Sequence, residues 1–378
     1  MNVIFTCGGT GGHINPAIAV ANILKERHPD CKILFIGAEG HMEEQLVPQA
    51  GYELVCLPGS ALSRGKSLAA LKKNIRAARC VLSAVNRCKK IIRDFRPDVI
   101  IGTGGYASFP ALYAGHKLGI PTCVHESNAT PGLTTKMAAD TADRVLVCFE
   151  ESRNQYRNPE RVEVVGMPVQ REFLYGTREQ ARKELGICDS KPLVVSAFGS
   201  QGAKVMNETM ADMMPLEQAD GFPFHHIHAV GSFGWDWMPQ RVRDDGVNFE
   251  CCPMLDIREY IYNMPTVMAA ADVIISRAGA ATCNEIAASG TPCILIPSPN
   301  VTNNHQEKNA RVLEEAGGAV VVLEKDCSPK RIYREVTALL ADGERRAKMT
   351  QALHRMVKQD SAERICDILE ELSRRNRA

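Results

Sequence analysis

Short apolar runs rich in β-branched residues alternate with longer helical patterns along the chain. Asn2–Cys7 opens the series, followed by glycines and a helical pattern over Pro16–Lys25. Lys32–Ile36, Val99–Ile101, Thr122–Val124 and Arg144–Cys148 read as further strands with helices between them. The pattern restarts at Pro192–Phe198 and continues through His226–Val230, Asp272–Ser276, Cys293–Pro297 and Ala319–Leu323. Strands alternating with helices predict parallel sheets with crossover helices, a doubly wound α/β architecture. The final helical pattern, about Ala362–Arg375, has no strand after it and could pack on either half.

The chain also repeats itself. Pro97–Tyr106 (PDVIIGTGGY) resembles Ala271–Ala280 (ADVIISRAGA), and each is followed by a helix and a second strand opening, Gly119–Cys123 and Gly290–Ile294. The repeat predicts two Rossmann-like domains, and at 378 residues the chain has the length for two. Gly166, Pro168 and Gly176 place the boundary near Val165–Gly176. This gives an N-terminal domain 1–165 and a C-terminal domain 166–356, with the last helix, about 357–378, free to return to the first.

Composition excludes several classes. Hydrophobic residues are 45% and charged residues 24%, enough apolar residue for large cores. Lys plus Arg is 45 against 44 acids, and aromatics are 6%, which argues against nucleic acid as a partner. The 14 cysteines include no C-x-x-C pair and lie mostly in apolar runs, so they are expected to be reduced core residues of a cytosolic protein. One segment departs from neutrality. Arg64–Arg96 carries eleven Lys or Arg and a single acid, Asp94, interleaved with Leu68, Leu71, Ile75, Val81, Leu82 and Val85. Basic and apolar residues so mixed suit an anionic membrane surface, and no run is long enough to cross a bilayer.

Four glycine-rich loops follow strands: Gly8-Gly9-Thr10-Gly11-Gly12-His13, Gly102–Tyr106, Gly199–Ala203 and Arg277–Thr282. Glycines at a strand-to-helix turn let backbone approach a ligand and present N–H groups at the positive helix end, which suits phosphate. Neither G-x-G-x-x-G nor a Walker lysine is present, so a dinucleotide and ATP are disfavoured. Glu285 lies three residues after Thr282, placed to accept ribose hydroxyls; the same spacing would serve a capping box.

Together, Gly8–Pro16, Gly102–Ser108, His125-Glu126-Ser127-Asn128, Gly199–Ala203 and Ser276–Ala280 resemble the MurG family, the bacterial peptidoglycan N-acetylglucosaminyltransferases. The resemblance covers nearly the whole chain with the motifs in order. It implies a GT-B glycosyltransferase, two Rossmann-like domains facing across a cleft. It implies no cofactor and no metal, transfer from UDP-N-acetylglucosamine with inversion, and lipid I as acceptor, giving lipid II at the cytoplasmic face of the membrane. The donor site it implies comprises Ser200 at the pyrophosphate, Ile261 at uracil, Ala280, Ala281 and Thr282 along the nucleotide, Glu285 on the ribose and Gln306 on the sugar. Thr10, Gly11, Gly12 and Asn128 would close over the sugar, and Tyr106 would belong to the acceptor side. Departures are Gln170-Arg171 where the family has its donor-contacting Arg, Ser127 for Gln, and His305 before Gln306. Either Gln170 substitutes by hydrogen bonding or Arg171, one place later, reaches in. The reaction needs a base, for which His13 leads and Glu126 follows, with His125 structural. A glycolipid synthase of the same fold and a UDP-N-acetylglucosamine 2-epimerase are the alternatives; the basic segment has no use in the epimerase.

Overall fold

A computed structural model describes residues 1–58, 68–128, 130–301 and 304–377. The chain divides into two compact units: residues Met1–Gln170 with Lys358–Ala378, and Arg171–Val357. The first unit is built on seven strands, β1 (Asn2–Thr6), β2 (Lys32–Ala38), β3 (Glu53–Leu57), β4 (Val99–Gly102), β5 (Thr122–Glu126), β6 (Arg144–Val147) and β7 (Val162–Val164). They are all parallel, in the order β3-β2-β1-β4-β5-β6-β7. The second unit has six, β8 (Leu193–Ala197), β9 (His225–Ala229), β10 (Leu255–Arg258), β11 (Val273–Ser276), β12 (Cys293–Leu295) and β13 (Ala319–Val321). Their order is β10-β9-β8-β11-β12-β13, again all parallel.

Both faces of the first sheet are covered, which is why its strands read as continuous apolar runs. Alternate residues of β1 belong to different cores. Val3 and Phe5 pack with helix Gly11–Arg27 (Ile14, Val20, Leu24), and Ile4 packs with Ile92, Ile100 and Leu112 on the other face. The C-terminal helix Ser361–Arg377 belongs to the first of these cores through Ile365, Cys366 and Leu369. Arg27–Asp367 at 2.6 Å and Arg364–Glu163 at 2.5 Å frame the docked helix at its exposed edges. Each fully buried aliphatic side chain there contributes about 1.5–3 kcal/mol, so the helix is held mainly by its apolar stripe.

The two repeated segments, Pro97–Tyr106 and Ala271–Ala280, occupy the same topological position: β4 lies beside β1, and β11 beside β8. In each sheet the winding direction reverses there, and ligands of doubly wound folds bind at the carboxyl ends of the strands flanking such a point. The glycine loops follow these four strands.

Two expectations need correction. The first helix begins at Gly11, not Pro16. All 14 cysteines are free, but Cys188 and Cys251 are exposed, so they are not core residues.

Candidate active site

In the first unit the loop after β1 lies directly on the loop after β4. Gly104 and Gly105 have φ of +113° and +86°, values only glycine adopts readily. A Cβ on Gly105 would lie 2.3 Å from the Gly8 carbonyl oxygen, and one on Gly104 would lie 2.6 Å from the His13 ring. The second loop is thus glycine because the first loop and its imidazole occupy the space. Thr103 Oγ1 donates to the His13 carbonyl at 2.6 Å, and Ser108 Oγ ties Gly104 to the end of β1.

This packing settles the state of His13. Its Nδ1 lies 3.0 Å from the Gly8 carbonyl oxygen. A carbonyl only accepts, so Nδ1 carries the proton in the neutral ring, and Nε2 holds the lone pair. His13 sits half-buried in the first turn of helix Gly11–Arg27, with the exposed Thr10 preceding the helix and Gly11 and Gly12 adjoining. An imidazole with its lone pair on Nε2 can take a proton from a hydroxyl beside it.

Glu126 is not arranged as a base. It is 4% exposed. Oε1 accepts from the Asn128 backbone N–H and from Asn128 Nδ2, both at 2.9 Å, and Oε2 accepts from Gly132 N at 3.0 Å. Those three bonds occupy both carboxylate oxygens and tie them to Asn128 and Gly132. They also turn the Asn128 amide inward, toward that carboxylate. Neighbouring His125 is fully buried and donates Nε2–H to the Gly166 carbonyl at 3.0 Å; burial lowers its pKa, so it is neutral and structural. Burial raises the Tyr106 phenol, with the thiols of Cys80 and Cys88 adding to it. Both cysteines lie on helix Leu68–Phe95, so Tyr106 faces that helix.

In the second unit Gly199–Gly202 forms a tight turn, closed by Gly202 N–H to the Gly199 carbonyl at 3.1 Å, with Ser200 within it. Gly202 packs so closely on the next loop that a Cβ would lie 2.0 Å from the Val230 oxygen. The other loop leads into helix Ala280–Ser289, whose first turn carries Ala280, Ala281 and Thr282. Its first N–H groups lack intrahelical partners and form a positive end. Arg277 fixes the approach by donating to the Ile296 carbonyl at 3.0 Å and pairing with Glu324. Glu285 lies on the same helix. Its charge adds to the burial that pushes Tyr260 and Cys283 each up to about 12, which places the carboxylate near the loop holding buried Ile261. Gln306 Oε1 accepts from Ser298 N at 2.9 Å. Asn309, one turn on, donates to the Ala278 carbonyl at 3.0 Å and ties this helix to the loop before Ala280.

Arg171 is placed differently. It opens helix Arg171–Tyr175, which packs on helix Ala280–Ser289, but it lines a separate groove of about 350 Å³ with Tyr175, Gln180 and Pro265. None of the other donor candidates lines that groove. Of the basic segment, 64 and 66 and the side chains of Lys72, Lys73, Arg76 and Arg79 lie outside the described residues. Downstream, Leu82 is 65% exposed, while Val85, Cys88 and Ile92 are buried in the core. Among the described residues no helix is long and apolar enough to cross a membrane. Glu43, which holds the His13 loop through Gly9, had no sequence signal; it is 34 residues from the loop it contacts.

Two domain families cover the chain: the glycosyltransferase family 28 N-terminal domain matches residues 3–147 and its C-terminal domain residues 193–365. A protein of Acetivibrio thermocellus is 39% identical over 378 residues, all of both chains. Its name is UDP-N-acetylglucosamine--N-acetylmuramyl-(pentapeptide) pyrophosphoryl-undecaprenol N-acetylglucosamine transferase. The chain belongs to this transferase family. A relative of the same name from Thermoanaerobacter pseudethanolicus is 39% identical over 373 residues, 99% of this chain and 100% of that one. The crystal structure of Acinetobacter baumannii MurG superimposes with a TM-score of 0.65 at 24% identity, covering 98% of this chain and 99% of that one. A UDP-N-acetylglucosamine 2-epimerase of Listeria monocytogenes gives 0.66 at 12% identity, covering 96% and 94%. The fold therefore does not separate transferase from epimerase; the full-length relatives do, and the chain is a glycosyltransferase of the GT-B kind.

Proposed function

We propose that this transferase moves N-acetylglucosamine from UDP-N-acetylglucosamine to lipid I, undecaprenyl-pyrophosphoryl-N-acetylmuramyl-pentapeptide, forming lipid II. The observation that carries the reading is the 39% identity, end to end, with transferases so named. The site supports it. His13 Nε2 takes the proton of the acceptor hydroxyl as its oxygen attacks the anomeric carbon, and the bond from that carbon to the β-phosphate oxygen breaks with inversion. UDP leaves with the bonding pair. Ser200, the Thr282 hydroxyl and the N–H groups opening helix Ala280–Ser289 stabilise the diphosphate charge. Glu285 accepts the ribose hydroxyls and Gln306 Nε2 donates to the sugar. Arg171, Asn128 and Tyr106 are assigned to the substrates on family resemblance, and their geometry here favours loop and groove roles. The basic face Arg64–Arg96 docks the enzyme on anionic lipid at the cytoplasmic side of the membrane, where a lipid-linked acceptor resides.

The test is incubation with labelled UDP-N-acetylglucosamine and a lipid I analogue. Label appearing in a lipid-linked disaccharide is the expected result. Conversion of the free nucleotide sugar to its 2-epimer without acceptor would replace the reading with the isomerase.

A further inference from the structure

Gly8 C=O and Gly9 N–H belong to one peptide group, and both of its polar atoms have side-chain partners. The carbonyl accepts His13 Nδ1–H at 3.0 Å, and the N–H donates to Glu43 Oε2 at 3.1 Å. A trans peptide points its N–H and C=O in opposite directions. The carboxylate and the imidazole therefore sit on opposite sides of the same peptide, linked through it. Glu43 is fully buried, and its other oxygen accepts the Ala38 N–H at 2.8 Å. Two glycines make room for the side chain: a Cβ on Gly8 would lie 2.9 Å from Oε1, and one on Gly37 would lie 2.6 Å from Cγ. Burying a carboxylate is costly unless it is well bonded, and here the fold gives up two Cβ positions to place it.

We propose that Glu43 is a positioning residue for the transfer, acting on His13 through the Gly8–Gly9 peptide in a carboxylate–peptide–imidazole chain. The proposal rests on the reading of His13 as the base. Chains of hydrogen bonds polarise one another. The anion at the N–H raises negative charge on the carbonyl, and the carbonyl then holds the Nδ1 proton more firmly. That fixes the tautomer, the ring orientation and the lone pair on Nε2, the service a carboxylate in direct contact gives other histidines. Interposing a peptide keeps the negative charge away from an acceptor that itself carries a diphosphate. The thiols nearby stay neutral, and the carboxylates of Glu44 and Glu39 act on Cys56 alongside Glu43. Burial first, then nearby carboxylates, push the Cys7 and Cys56 thiols up, Cys56 to about 11. His125, which senses His13 electrostatically, is kept neutral by burial.

The experiment compares full-length wild type, Glu43→Gln and Glu43→Asp. Imidazole ¹⁵N chemical shifts of His13 report the tautomer without any substrate. The pH profile of kcat is measured with UDP-N-acetylglucosamine and a water-soluble lipid I analogue. Wild type should show the Nδ1-protonated form. Glu43→Gln should show mixed tautomers, a kcat lower by about tenfold, an unchanged donor KM, and an acid limb displaced to lower pH. Glu43→Asp, which keeps the charge, should recover part of each. If Glu43→Gln does not fold, Glu43→Asp carries the test, because its withdrawn carboxylate should still perturb the tautomer. A His13 tautomer and pH limb identical to wild type in a folded variant would overturn the chain. An undiminished kcat in His13→Ala would instead remove the base assignment and leave the ¹⁵N result to judge the chain alone.

Discussion

Replacing Gly105 with Ala should separate loop placement from general stability. The position has φ +86°, and an L-residue there carries a strain of about 1–2 kcal/mol. The new Cβ would also lie 2.3 Å from the Gly8 oxygen, against an ordinary C···O approach of about 3.3 Å. The Gly8–His13 loop must therefore withdraw by about 1 Å. The Gly8 oxygen is the acceptor that orients His13, so the imidazole moves with it. A displacement of that size costs about 10²-fold in rate. Gly51→Ala is the control: its φ is +83° and nothing lies within 4 Å of the added methyl. It bears the same backbone strain with no displacement, and each 1 kcal/mol should lower Tm by about 2–4 °C. Both variants are assayed for kcat and donor KM well below their melting temperatures. Gly51→Ala should retain wild-type kcat, and Gly105→Ala should lose about 100-fold with donor KM unchanged. A Gly105→Ala kcat within threefold of the control would refute the claim that this glycine sets the base.

Glu285→Ala should raise donor KM by about 10–150-fold, the loss of a charge-assisted bond of about 1.5–3 kcal/mol, with acceptor KM little changed; an unaltered donor KM removes the ribose assignment. Buried His228 bonds Ser196 Oγ through Nδ1 at 2.6 Å, and burial, aided by His226, holds its pKa well below the usual range. The folded state keeps it neutral while the unfolded chain takes a proton below about pH 6.5, so stability present above that pH is lost as pH falls, by up to about 1.4 kcal/mol per unit. Denaturant titrations at pH 7, 6 and 5 should show a shallower loss in His228→Leu, and parallel curves would contradict the assignment. Reversing Lys72, Lys73, Arg76 and Arg79 to Glu should abolish binding to anionic vesicles, which in wild type should fall steeply with salt; retained binding would make the segment an ordinary solvated face.

The central strands were legible because parallel strands covered on both faces are unbroken apolar runs. The strands the pattern did not reveal, β3, β7 and β10, are all sheet edges. There, exposed or half-buried positions such as Glu53, Glu163 and Asp256 interrupt the apolar signal. The glycine loops were legible for a related reason, since backbone contacts such as Gly105 on Gly8 leave no choice of residue. What the sequence did not disclose was the support behind them. Glu43 reads as an ordinary acidic residue opening a helix, and only the fold brings it under Gly9. Glu126 reads as a base until its oxygens are found bonded to Asn128 and Gly132. Carboxylate roles depend on which backbone N–H groups surround them, and that is a tertiary fact.

The most direct measurement is the anomeric configuration of the product formed from UDP-N-acetylglucosamine and the lipid I analogue, read from its sugar proton couplings by NMR. Wild type should yield a single β-linked disaccharide, and His13→Ala should yield that same anomer at least about 10²-fold more slowly. An α-linked product, or a β-linked one formed at the wild-type rate without His13, would contradict a single displacement driven by that imidazole.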